Sequence, residues 1–89
     1  MDKNFKVIKR DGKVVDFDLN KISAAIIKAF EAQNKNYNRQ IIDLLALRTA
    51  ADFENKTVNG EVHVEDIQDS VEHVLESAGY TDVAKAYIL

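Results

Sequence analysis

The sequence contains no cysteine and no proline, and glycine occurs three times in 89 residues. Without cysteine there is no disulfide framework, no zinc ribbon and no thiol chemistry within the chain. The same absence fits a reducing compartment, and a cytoplasmic location is expected. The glycines stand at Gly12, Gly60 and Gly79, so each is expected to mark a turn or a helix end, with no internal linker. They are too scattered for a Gly-x-x-x-x-Gly-Lys-[Ser/Thr] phosphate loop or a Gly-x-Gly-x-x-Gly dinucleotide fingerprint. No apolar run approaches the ~20 residues of a membrane span, and no signal-peptide core follows Met1-Asp2-Lys3-Asn4. The net charge of −3 leaves no general basic excess, so neither nucleic acid nor membrane is an expected partner.

Catalytic patterns are also missing. His63 and His73 fall on different predicted elements, and no third ligand stands at metal spacing. Ser23, Ser70 and Ser77 lie on predicted helices without a Gly-x-Ser-x-Gly elbow. Most carboxylates fall on outer helix faces. The domain alone is not expected to be an enzyme.

What the chain does have is 46% hydrophobic and 30% charged residues, the balance of one globular domain with a modest core. Its first stretch sets two short β-branched runs around Asp11-Gly12, a strong hairpin signal. A two-residue loop there pairs Arg10 with Lys13, Lys9 with Val14, Ile8 with Val15 and Val7 with Asp16. One face then carries Lys6, Ile8, Arg10, Lys13, Val15 and Phe17, and the other Phe5, Val7, Lys9, Val14 and Asp16. A lone ribbon is marginal in water. Helices can cover one face, and a ligand is one candidate for covering the other. Lys9, Arg10, Lys13 and Lys21 lie close to the apolar residues, as phosphates beside a flat base would require. The plainer reading, an amphipathic hairpin with a solvated basic tip, carries more weight on this segment alone.

Four helices are expected after the hairpin. Asp18 can cap the first, which places Leu19, Ile22, Ile26, Ala29 and Phe30 on one side and runs to about Ala32. Asp18 can equally contact a ligand. After the polar loop from Gln33, Asn38 can cap a second helix. Its stripe is Ile41, Leu44, Leu45, Arg48 and Ala51 or Asp52, widened by Ile42 and Leu47, and it fades near Asn55-Lys56. Thr57 to Gly60 is a turn signal, and Glu61 to Val64 can add a short third strand. The third helix carries Ile67, Val71, Val74, Leu75 and Ala78, with Glu65, Asp66 and Asp69 near its start. Gly79 ends it. Thr81 or Asp82 can cap a fourth helix carrying Val83, Ala84, Tyr87 and Ile88. An apolar finish at Leu89 inside that helix raises the expectation of a fragment from a longer polypeptide, with residues 1–89 as one domain.

Two segments together resemble the ATP-cone domain. The first is Val7-Ile8-Lys9-Arg10-Asp11-Gly12 followed by Phe17-Asp18-Leu19-Asn20-Lys21-Ile22. The second is Val64-Glu65-Asp66-Ile67-Gln68-Asp69-Ser70-Val71-Glu72 followed by Gly79-Tyr80-Thr81-Asp82-Val83-Ala84-Lys85-Ala86-Tyr87-Ile88. The resemblance implies an α+β fold in which a small β-ribbon lids a four-helix bundle. It implies an allosteric site where a ribonucleotide reductase senses ATP against dATP, with Mg²⁺ as companion ion. Carried over by position, Lys9, Arg10 and Lys21 hold the phosphates. Val7, Val15 and Asp18 frame the adenine, Ile22 packs below it, and Val64 and Gln68 face the site from the third helix. Val64 stands where threonine or serine is often seen. Because an acid at Asp18 opposes an anion, the base rather than the phosphates is expected there. The second-half wording looks most like the anaerobic, glycyl-radical class. The implied partners are the rest of the reductase chain and other reductase subunits. Two rivals remain: a cone in a transcriptional regulator, where a zinc ribbon precedes it, and a helical interaction module without ligand.

Overall fold

The computed structural model describes residues 5–87, so the expected helical place of Ile88 and the finish at Leu89 lie outside the described residues. The hairpin forms with β1 at Lys6–Ile8 and β2 at Val14–Asp16. Its register differs by one residue from the expected one: Lys6 faces Asp16, Val7 faces Val15 and Ile8 faces Val14. The turn explains the shift. Gly12 N–H donates to the Lys9 carbonyl at 2.9 Å, Lys9 N–H donates to the Lys13 carbonyl at 2.8 Å, and Gly12 has φ +87°. Among the described non-glycine residues only Asn34 and Asn59 have positive φ, so Asp11 does not supply the left-handed residue that a two-residue type I′ loop needs. The chain makes a three-residue loop closed by a glycine bulge instead. A one-residue slip exchanges the faces, so Val15 joins Val7 and Lys9 rather than Ile8.

The turn with two left-handed residues occurs elsewhere, at Asn59 (φ 54°) and Gly60 (φ 75°). Val58 and Glu61 exchange both backbone hydrogen bonds around it, at 2.8 and 3.0 Å. This turn delivers β3, Glu61–His63, to the free edge of β1, where it pairs in parallel. The sheet is mixed, with order β2-β1-β3. Val7 and Val62 are neighbours on its inner face and are both buried. The outer face carries Ile8, Val14 and an ion pair between Lys6 and Asp16. The Lys6 hydrogen bond holds the Asp16 carboxyl below its ordinary pKa. The helices cover the inner face, and Val14 stands exposed on the other.

Four helices complete an α+β domain. Helix α1, Leu19–Ala32, begins where Asp18 accepts a hydrogen bond from Asn20 N–H at 3.0 Å. It buries Ile22, Ile26, Ala29 and Phe30. Helix α2, Arg39–Phe53, begins where Asn38 accepts from Ile41 N–H at 2.8 Å, and it runs into a 3₁₀ turn at Glu54–Lys56. Its buried stripe is Ile42, Leu45, Ala46, Thr49 and Phe53, rotated from the expected one. Apolar residues fill most of 41 to 47, so the local pattern has no clear phase, and the far position of Phe53 decides it. Leu44 and Leu47 are left on the surface.

Helix α3, Val64–Ser77, buries Ile67, Val71, Val74 and Leu75. It ends with Tyr80 N–H on the Leu75 carbonyl at 2.8 Å and Gly79 N–H on the Glu76 carbonyl at 3.0 Å, a Schellman closure. Helix α4, Thr81–Tyr87, buries Val83 and Ala84. Ala84 N–H bonds to the Tyr80 carbonyl, so Tyr80 rather than Thr81 or Asp82 stands at the cap. The Asp82 carboxylate pairs with Lys35 at 3.1 Å, and that hydrogen bond lowers its pKa.

Among the described residues one buried side-chain polar atom lacks a partner. Ser70 is fully buried on α3, and its Oγ has no hydrogen bond among the described residues. Ser70→Ala removes an unsatisfied hydroxyl and substitutes a better helix former. It is expected to stabilise the domain by about 1 kcal/mol, read as a higher urea midpoint. A lower midpoint refutes the assignment.

Candidate functional site

A cavity of about 220 Å³ opens between the sheet's inner face and the helices. Its apolar lining comes from Val7 and Val15 on the sheet, Ile22 on α1, and Val64 and Ile67 on α3. Phe17 closes one side, and Tyr87 reaches it from the end of α4. Lys9, Asp18 and Lys21 supply side-chain charge, together with Asp16, which is paired with Lys6. Strand alternation explains Lys9, since it lies two residues beyond Val7 on the same face. Helix capping explains Asp18 and Lys21: the cap fixes α1 so that Lys21 falls in its first turn and Ile22 turns inward.

Seven of the nine residues expected at a site line this one cavity: Val7, Lys9, Val15, Asp18, Lys21, Ile22 and Val64. Arg10 and Gln68 do not. Arg10 points to α3, where Nε donates to Glu65 Oε2 at 3.2 Å and Nη2 donates to Gln68 Oε1 at 2.9 Å. Gln68 also lines a neighbouring cavity of about 430 Å³, with Ala25, Lys28, Ala29, Ala32, Ala86 and Tyr87. Tyr87 is therefore a wall of both cavities, and burial, then Glu72, raise its phenol pKa.

Sequence reasoning missed Asp16, Phe17, Ile67 and Tyr87 as lining residues. Two of them had a signal: Phe17 is two residues beyond Val15, and Ile67 is one helical step beyond Val64. Tyr87 had none, because only the packing of α4 brings it there.

The charges are unevenly engaged. Lys9 and Lys21 make no ion pair among the described residues, whereas Arg10 is held. Asp18 uses one oxygen for its cap and leaves the other without a partner among the described residues. An apolar slot beside one free carboxylate oxygen and two free ammonium groups suits a flat, hydrogen-bonding body with an anionic tail. Among the described residues no group of three His, Cys, Asp or Glu is placed to hold a metal, and no helix is long and apolar enough to cross a membrane.

A family model described as the ATP cone domain matches residues 5–89. Over 89 residues the chain is 43% identical to the vitamin B12-dependent ribonucleoside-diphosphate reductase of Thermoplasma acidophilum, covering 94% of this chain and 11% of that protein. It is 40% identical over 89 residues to the ribonucleoside-diphosphate reductase subunit alpha of Chlamydia pneumoniae, covering 93% of this chain and 8% of that protein. It is 36% identical over 88 residues to the anaerobic ribonucleoside-triphosphate reductase of Haemophilus influenzae, covering 96% of this chain and 12% of that protein. The chain thus spans about a tenth of the length of these relatives. The expected anaerobic class is represented by one of the three. With the lidded cavity and a match running from the first strand to the last residue, the chain belongs to the ATP-cone domain family.

Proposed function

We propose that this chain is the allosteric nucleotide sensor of a ribonucleotide reductase, binding ATP or dATP in the cavity beneath the sheet. The observation that carries the reading is the pairing of that apolar slot with the unpartnered Lys9 and Lys21. At about 220 Å³ the slot is smaller than the roughly 300–1,000 Å³ of a whole-ligand pocket. It takes the base and leaves the triphosphate at the lysines outside. Val7, Val15 and Ile22 contact the ring, and the free Asp18 oxygen accepts from the adenine amino group. Lys9, Lys21 and a released Arg10 serve the phosphates. Magnesium commonly binds through one or two carboxylates plus substrate phosphates, so it would arrive on the nucleotide rather than in a protein cage.

The reductase parent is supported by all three relatives. An anaerobic parent is supported by one of them, at 36% identity, and a B12-dependent one by another, at 43%. The cone is common to both. Nucleotide occupancy shifts the parent between assemblies with other reductase subunits, by no more than its differential affinity for the two states.

The test is calorimetric titration of this chain with ATP, dATP and GTP in Mg²⁺ buffer. Saturable binding of both adenine nucleotides is expected. GTP, whose ring presents an acceptor where adenine presents an amino donor, is expected to bind more weakly by about 1.5–3 kcal/mol. Equal binding of GTP, or none of ATP by folded protein, overturns the reading.

A further inference from the structure

We propose that Glu65 is a built-in competitor for the phosphate-binding guanidinium: it holds Arg10 on α3 in the nucleotide-free cone, and a bound triphosphate displaces it. This rests on the nucleotide-sensor reading and deepens it.

Arg10 differs from its basic neighbours. Lys9, Lys13 and Lys21 have no ion pair among the described residues, while Arg10 is bound by both Glu65 and Gln68. Glu65 and Gln68 are three residues apart on α3 and so share one side of it. Val64 and Ile67, each one residue earlier, share the adjacent side and line the cavity. One helix therefore forms both the cavity wall and the clasp beside it. Arg10 lies in the turn that follows β1, and its Nε and Nη2 are taken up by Glu65 and Gln68, so turning those donors to phosphates held by Lys9 requires it to leave the clasp.

The exchange is favourable in sign and small in cost. The Arg10 and Glu65 side chains are 63% and 54% exposed, so their attraction is solvent-screened. A triphosphate offers more charge than one carboxylate, and it accepts from the guanidinium fork in two-point geometry. Glu65 thus lowers ATP affinity by the worth of one exposed ion pair and keeps the hairpin tip on α3 until nucleotide arrives. Gln68 gives up its hydrogen bond from Arg10 in the same exchange.

The test is ATP titration of the wild-type chain, Glu65→Gln, Arg10→Ala and the double variant, each checked for folding by circular dichroism. Glu65→Gln is expected to bind ATP roughly two- to five-fold tighter, the range of an exposed ion pair. In the Arg10→Ala background the same substitution is expected to leave affinity unchanged, because the competitor has nothing to hold. Unchanged or weaker binding by Glu65→Gln overturns the competitor while leaving the sensor standing. An equal gain in both backgrounds also overturns it, since relief of general repulsion would account for that. No ATP binding by folded wild type overturns the sensor itself, and the competitor with it.

Discussion

Phe53→Ala is expected to cost the domain about 3–5 kcal/mol. Phe53 is the last residue of α2, is fully buried, and receives Phe5 and Phe17 edge-on with ring centroids 5.5 and 5.4 Å away. Phe5 and Phe17 also meet each other at 6.0 Å, so three rings close one cluster. Truncation leaves a cavity and removes two aromatic pairs, each worth about 0.5–1.5 kcal/mol beyond its burial. It also unpins the open end of the hairpin, because Phe5 precedes β1 and Phe17 follows β2. A domain of this size has a total stability of about 5–15 kcal/mol, so much of it is lost. Urea unfolding gives the magnitude, and amide exchange gives the location. Hairpin amides are expected to lose protection before those of α3. A loss below about 1 kcal/mol, far under the usual cost of a buried phenylalanine, means the cluster does not hold the sheet.

The second large effect falls on binding rather than stability. Lys9→Ala and Lys21→Ala are each expected to weaken ATP by about 1.5–3 kcal/mol, the worth of a charge-assisted hydrogen bond. Neither lysine has an ion pair among the described residues and both are exposed. Folding stability is therefore expected to stay within about 0.5 kcal/mol of wild type. The double variant is expected to lose less than the sum, because two lysines on one phosphate chain share its charge. Raising the salt concentration should weaken wild-type binding more than that of either variant. Titration of the three variants checks this. Unchanged affinity in both single variants moves the phosphates away from this side of the hairpin.

Much of the fold was legible because short signals decided it. Asp18 and Asn38 announce two helix starts, Gly79 announces the end of α3, and the period of α1 and α3 selects their inward faces. Three features were not legible, each for a different reason. The loop at Asp11-Gly12 is compatible with two lengths, and one residue of slip reassigns every side chain of β2. The phase of α2 is locally degenerate, and Phe53 decides it from the far end by meeting two rings contributed by the hairpin. The clasp on Arg10 joins the hairpin tip to the first turns of α3, a contact between distant parts of the chain that no local pattern encodes. The cavity's strand and first-helix residues came from the family resemblance, because the two-residue register puts Val15 on the face away from Val7. The cavity was not legible in Tyr87, which tertiary packing alone delivers.

The position of β1 in the middle of the sheet sets an order of events in time. Its partner β2 follows after one tight turn, and a hairpin of that kind closes in about 1–10 μs. Its other partner, β3, arrives only after α1 and α2, so that pairing must close a long loop against chain entropy. The cavity walls come from β1, β2, α1, α3 and α4, and hence exist only once this late closure is done. A ligand lodged there would bind contacts that this order of events makes late. It is expected to lengthen the lifetime of the folded domain more than it changes the rate of its formation.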